Sequence, residues 1–127
     1  MHNDAELTER TELNEALEAA FDKKAQDVVV IDVSDVCSFT DNFIICTGTS
    51  NRHSQTIADG IDEHLRQQGV RPLHIEGRTE GEWILMDYFD FVVHIFSARA
   101  RAFYDLERLW RAGKRRAVSE LIGQRTQ

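Results

Sequence analysis

Between residues 5 and 25, apolar positions recur at three-to-four spacing. Leu13, Ala16, Leu17, Ala20 and Phe21 share one side of a predicted helix whose other side is acidic. Asn3 and Glu6 have the spacing of a capping box at its start. The β-branched run Asp27 to Val33 is too short for a helix and reads as a strand buried on both faces. After a connecting loop from Asp35 to Asp41, Phe43 to Thr47 forms a second strand that runs into Gly48, Thr49 and Ser50. These three open a helix carried by Ile57, Ala58, Ile61 and Leu65, and Gly69 stands where a C-cap glycine belongs.

Leu73 to Glu76, preceded by Arg71 and Pro72, is a short strand suited to an edge or a strand start. Trp83 to Asp87 and Phe91 to Phe96 alternate as strands and are joined so closely by Tyr88, Phe89 and Asp90 that an antiparallel hairpin is predicted. A last helix is predicted over Ala98 to Ala112. The expected fold class is α/β: one domain, with a mixed sheet of about five strands and packed helices, in the order α-β-β-α-β-β-β-α.

At 100° per residue, Ala102, Phe103, Leu106, Leu109 and Trp110 fall on one stripe of that last helix and read as core. Tyr104 lies on the far side, flanked by Arg101 and Arg108. In the hairpin, Trp83, Leu85 and Asp87 share one strand face and Ile84, Met86 and Tyr88 the other. If Ile84 and Met86 meet the helices, then Trp83, Asp87 and Tyr104 make an acidic, aromatic patch of the kind that carries binding energy at interfaces. The competing reading buries Trp83 under a loop.

With 127 residues and 42% apolar content the chain supports one core. The net charge of −7 argues against a general nucleic-acid binder, since phosphate neutralisation needs Lys and Arg. Charge is unevenly spread: residues 1–110 hold 10 basic and 21 acidic groups, residues 111–127 hold 5 and 1. The basic tail is suited either to touching RNA or to simple solvation. No apolar run reaches the roughly 20 residues of a membrane span, so no membrane contact and a cytoplasmic location are expected. Cys37 and Cys46 lack metal or redox spacing and read as reduced packing residues.

Catalytic constellations are poorly represented. The Gly48–Thr49–Ser50 turn has an anion-binding shape but neither Walker nor dinucleotide spacing, and Ser50 or Asn51 serves as well as a plain N-cap. A nucleotidyltransferase needs two carboxylates one residue apart on a strand; here Asp59 and Asp62 are spaced by three on a helix, and Asp87 and Asp90 end a tight turn. His53, His64, His74 and His94 are scattered without ligand spacing, and His94, in an apolar strand, reads as a core histidine. No enzyme activity, metal or cofactor is expected.

Four ordered stretches carry a resemblance: Asp41 to His53 (DNFIICTGTSNRH), Arg71 to Gly77 (RPLHIEG), Trp83 to Phe96 (WILMDYFDFVVHIF) and Arg101 to Trp110 (RAFYDLERLW). Over about Ala25 to Trp110 the chain resembles the ribosomal silencing factors, or iojap family. The resemblance implies a nucleotidyltransferase-like fold without the catalytic acids and a non-enzymatic role. It further implies binding to the fourteenth protein of the large ribosomal subunit, a block on small-subunit joining, lowered translation under nutrient limitation, and a homodimer when free. Carried over by position, its docking residues are Trp83, Asp87, Asp90 and Tyr104, with Tyr88 counted beside them at the hairpin tip. The family usually has glycine where this chain has Phe89, so a different turn type is expected there. The expected organisation is a domain over residues 1–110 with an N-terminal helix, and a basic C-terminal tail over 111–127 to which the resemblance transfers nothing. A large-subunit assembly factor using the same surface and a nucleotide-binding enzyme remain as alternatives.

Overall fold

The computed structural model describes residues 2–123, with side chains from residue 12 onward. Its elements are α1 (His2–Asp22), β1 (Gln26–Asp32), β2 (Asn42–Gly48), α2 (Asn51–Arg66), β3 (His74–Glu76), β4 (Trp83–Asp87), β5 (Phe91–Ser97), α3 (Ala98–Tyr104), α4 (Leu106–Leu109), β6 (Lys114–Arg116) and α5 (Val118–Ile122). The capping box of Asn3 and Glu6 rests on side chains outside the described residues.

Local chemistry sets the helix ends. Lys24 turns left-handed at φ 68° after α1, while the N–H groups of Lys24 and Ala25 donate back to Phe21 and Ala20. Gly69 does the same after α2 at φ 81°, with Val70 donating to Leu65, so the predicted C-cap glycine closes a Schellman turn. Ser50 caps α2, its Oγ accepting from the N–H of His53 at 3.0 Å.

Six strands form one mixed sheet in the order β3-β4-β5-β2-β1-β6. Its one parallel pair is β2 with β5, reached by the crossover through α2, and β4–β5 is the predicted antiparallel hairpin. Alternation divides the core. Val30, Ile44, Cys46, Ile84, Met86, Val93 and Ile95 pack with Leu17, Ile57, Ile61 and Leu65 on the face covered by α1, α2 and α5. Ile31, Val33, Phe43, Ile45, Val92 and Phe96 point to the other face, where the cover is Ala100, Leu106 and half-buried Trp83 and Trp110.

The segment after Trp110 continues the fold. β6 pairs antiparallel with β1, Val30 opposite Arg116, so the sheet has a sixth strand. Gly113 allows this approach: a Cβ there would lie 2.7 Å from Ile31 Cγ2 and 2.9 Å from the Asp32 carbonyl oxygen. Of the tail's apolar residues, Ile122 is buried against α1 and the sheet, Val118 and Leu121 partly so, and Asn14 Nδ2 donates to the Leu121 carbonyl. Arg116 and Arg115 reach Asn42 and Glu107. Residues 111–123 are thus tied to the sheet and to α1.

Candidate docking surface

The hairpin register brings Trp83 opposite Phe96 and Leu85 opposite His94, which makes Trp83 and His94 diagonal neighbours on one face. The indole Nε1–H donates to His94 Nδ1 at 3.1 Å. Its ring lies 4.9 Å from Phe96 and 4.7 Å from Tyr104 by centroids. Tyr104 is 51% exposed and meets Phe103 edge-on at 5.0 Å. Across β5, His94 stands edge-on to Phe43 at 4.9 Å, Phe43 to Trp110 at 5.4 Å, and Trp110 to the exposed Phe39 at 6.4 Å. An aromatic seam therefore crosses the sheet from Phe103 to Phe39. Trp83 lies half-buried in this seam with Ile84 and Met86 on the helical side, the arrangement in which the hairpin's odd positions face away from α1 and α2.

The stripe expected of one long helix over 98–112 is broken. Asp105 adopts φ 50° and ψ 51°, ending α3 and re-aiming α4, a conformation aspartate tolerates better than most residues. Leu106 still reaches the core, but Phe103 and Leu109, expected there, are 77% and 73% exposed, and Ala102 is exposed too. Together with Tyr104 and Arg108 they line an open depression of about 590 Å³. Leu106 and Trp110 border a second recess, of about 220 Å³, with Phe39, Leu85 and Asp87. Arg101, expected beside Tyr104 at the surface, is instead a clamp. Its guanidinium makes two bonds of 3.0 Å to Glu107, one of 2.7 Å to the Asp27 carbonyl at a bulge in β1, and one of 3.0 Å to Thr47 Oγ1. Those bonds hold the Glu107 carboxyl below its usual pKa.

Asp87 ends β4 on the seam's face, with its side chain 24% exposed. Its Oδ1 accepts from the Phe89 N–H at 2.9 Å and its Oδ2 lies 3.9 Å from His74 Nδ1. Asp90 is exposed at the hairpin tip, where its carbonyl holds the start of β2 through the N–H groups of Asp41 and Asn42. Tyr88 does not join this surface. It is 5% exposed, stacked on Phe91 at 5.1 Å within the helical-face core, and burial pushes its hydroxyl pKa upward. The turn type also differs from expectation: Phe89 keeps the left-handed backbone at φ 76°, and Asp90 N–H donates to the Tyr88 carbonyl, closing a tight three-residue turn.

At the other candidate positions, side chains are taken up by local partners. At the Gly48–Ser50 turn, the Thr49 N–H donates to His53 Nδ1 and the His53 N–H to Ser50, while His53 Nε2 donates to the Lys23 carbonyl at 2.8 Å. The Thr49 and His53 N–H groups at this turn are thus engaged within the fold. Asp59 is held by Arg78 through two bonds and Asp62 by Arg66. His64 meets Glu15, and His74 lies beside Glu76. Among the described residues no group of three His, Cys, Asp or Glu is placed to hold a metal ion. Cys37 and Cys46 are free thiols, and burial pushes that of Cys46 up to about 12. Sequence reasoning missed Phe39, Phe103 and Leu109 as surface residues; the signal for the last two was a single aspartate inside an otherwise helical stripe.

The sequence matches, over residues 6–127, the family described as "Ribosomal silencing factor during starvation". A ribosomal silencing factor RsfS from Bacillus subtilis is 35% identical over 104 residues, 82% of this chain and 88% of that protein. A mouse protein named mitochondrial assembly of ribosomal large subunit protein 1 is 32% identical over 91 residues, 69% of this chain and 40% of that one. A crystal structure of a protein from Chromobacterium violaceum matches with a TM-score of 0.77 at 35% identity, covering 84% of this chain and 88% of that one. The chain belongs to the ribosomal silencing factor family, and the match runs on through β6 and α5.

Proposed function

We propose that this protein represses translation by steric occlusion. It docks on the large ribosomal subunit through that subunit's fourteenth protein and keeps the small subunit from joining when nutrients are scarce. The observation that carries this reading is the contact between half-buried Trp83 and half-exposed Tyr104, 4.7 Å between rings, in an aromatic seam on the sheet face covered by α3 and α4, with Asp87 on the same face. Buried aromatics hold such complexes, while carboxylates select a basic partner and speed encounter. No substrate is turned over. The protein acts in the cytoplasm and associates as a homodimer when free. The test is subunit joining on sucrose gradients: added protein should remain with the large subunits and lower the yield of joined ribosomes. Absence from the large-subunit peak would sink the reading.

A second reading, assembly of the large subunit through the same surface, draws on the name of the mouse relative. Profiling which particles carry the protein in growing cells separates the two. Mature large subunits favour repression and precursor particles favour assembly.

A further inference from the structure

His94 is the one titratable side chain buried within the aromatic seam, and the docking reading leaves it without a role. Its hydrogen bond to Trp83 sets its tautomer. The Trp83 indole nitrogen is a donor only, so the bond to Nδ1 requires that nitrogen to accept, which places the ring proton on Nε2. Burial keeps the ring neutral, holding its pKa at about 4, so Nδ1 accepts throughout the neutral range. Phe43 stands edge-on against the ring at 4.9 Å and Phe96 stacks near it at 6.2 Å, so His94 has little freedom to turn. Trp83, by contrast, is half-buried near the end of a strand, and its other ring neighbours, Phe96 and Tyr104, make contacts that do not fix a direction in the ring plane. The hydrogen bond is the directional restraint.

The geometry points to His94 as the positioning residue of the docking surface: its Nδ1 holds the Trp83 indole in the pose that supports Tyr104, so the anchor is set before a partner arrives. This rests on the docking reading above and deepens it. Preorganised aromatic anchors bind more tightly because less side-chain freedom is lost on association.

The test is a double-mutant cycle read by binding to purified large ribosomal subunits, with the indole N–H resonance of Trp83 as an independent readout. His94→Leu keeps an apolar side chain of similar bulk and removes the acceptor. Binding should weaken about tenfold, the size of one lost hydrogen bond, and the Trp83 indole resonance should move. His94→Asn places an amide oxygen the same number of bonds from the backbone as Nδ1 and should restore most of the affinity and the resonance position. In a Trp83→Phe background, which lacks the indole donor, His94→Leu should cause no further loss. Equal losses in both backgrounds would make His94 a packing residue and overturn the proposal, as would an unmoved indole resonance or wild-type binding by His94→Leu. If wild-type protein is not retained on large subunits while the resonance does move, the docking reading falls and the restraint on Trp83 stands.

Discussion

The two faces of the sheet use the same alternation to different ends. On the helical face, inward residues of β1, β2, β4 and β5 are covered by three helices, and Ile44, Ile84, Met86, Val93 and Ile95 are fully buried. On the opposite face the strand residues Ile31, Phe43, Ile45, Val92 and Phe96 are buried too, but α3 and α4 are short, Phe103 and, after the turn at Asp105, Leu109 are exposed, and Trp83 and Trp110 are only half-buried. Burying the strands of a face stabilises the fold; leaving large side chains such as Phe39, Phe103, Tyr104 and Leu109 exposed on its cover provides a surface for a partner. Apolar side chains serve both, so hydrophobicity alone does not tell them apart. The length and direction of the covering helices do.

Substitutions should separate these roles. The largest effect is expected on the helical face: Phe91→Ala should destabilise the protein by about 3–5 kcal/mol, the usual range for truncating a buried aromatic, measured by chemical denaturation. A change under 1 kcal/mol would show that this face is less well packed than its burial implies. On the face of the aromatic seam, buried His94 gives a pH signature. Its pKa falls from 6.5 to about 4 on burial. As pH drops below 6.5 the unfolded chain gains a proton that the native state refuses, so stability declines down to about pH 4, by roughly 3 kcal/mol in total. The slope should be reduced in His94→Asn; an unchanged slope would assign the acid sensitivity to other groups. At the hairpin tip, Phe89→Gly should stabilise by about 1 kcal/mol, because glycine takes φ 76° without a Cβ penalty. Destabilisation would mean that the phenyl group contributes more than the backbone costs. The smallest effect is predicted for Leu109→Ser, within about 0.5 kcal/mol, since the side chain is 73% exposed; a loss of 2 kcal/mol would return it to the core.

Much of this contrast is legible in the sequence. Period-two alternation in Trp83 to Asp87 put Ile84 and Met86 on one face and Trp83 and Asp87 on the other without deciding which met the helices, and the mixed sheet followed from one crossover and one hairpin. β6 was not legible. Lys114, Arg115 and Arg116 carry no apolar alternation, and their pairing depends on β1 and on the absence of a side chain at Gly113. The break at Asp105 was hidden because one left-handed residue changes the direction of everything after it without altering the local pattern. Tyr88 was misplaced because its sequence neighbours, Asp87 and Asp90, drew it to the surface, whereas its parity with Ile84 and Met86 pointed to the core. The Trp83–His94 bond needs the hairpin register, which two residues taken singly do not reveal.

Docking through the partly exposed aromatic seam is tested most directly by the affinity of Tyr104→Ala for purified large ribosomal subunits. Tyr104 is half-exposed and ends α3, so the fold should survive the change, as a thermal melt would verify. Binding should weaken by roughly 1–3 kcal/mol, the range for truncating an interface anchor. An affinity equal to that of the wild-type protein would contradict docking through the seam.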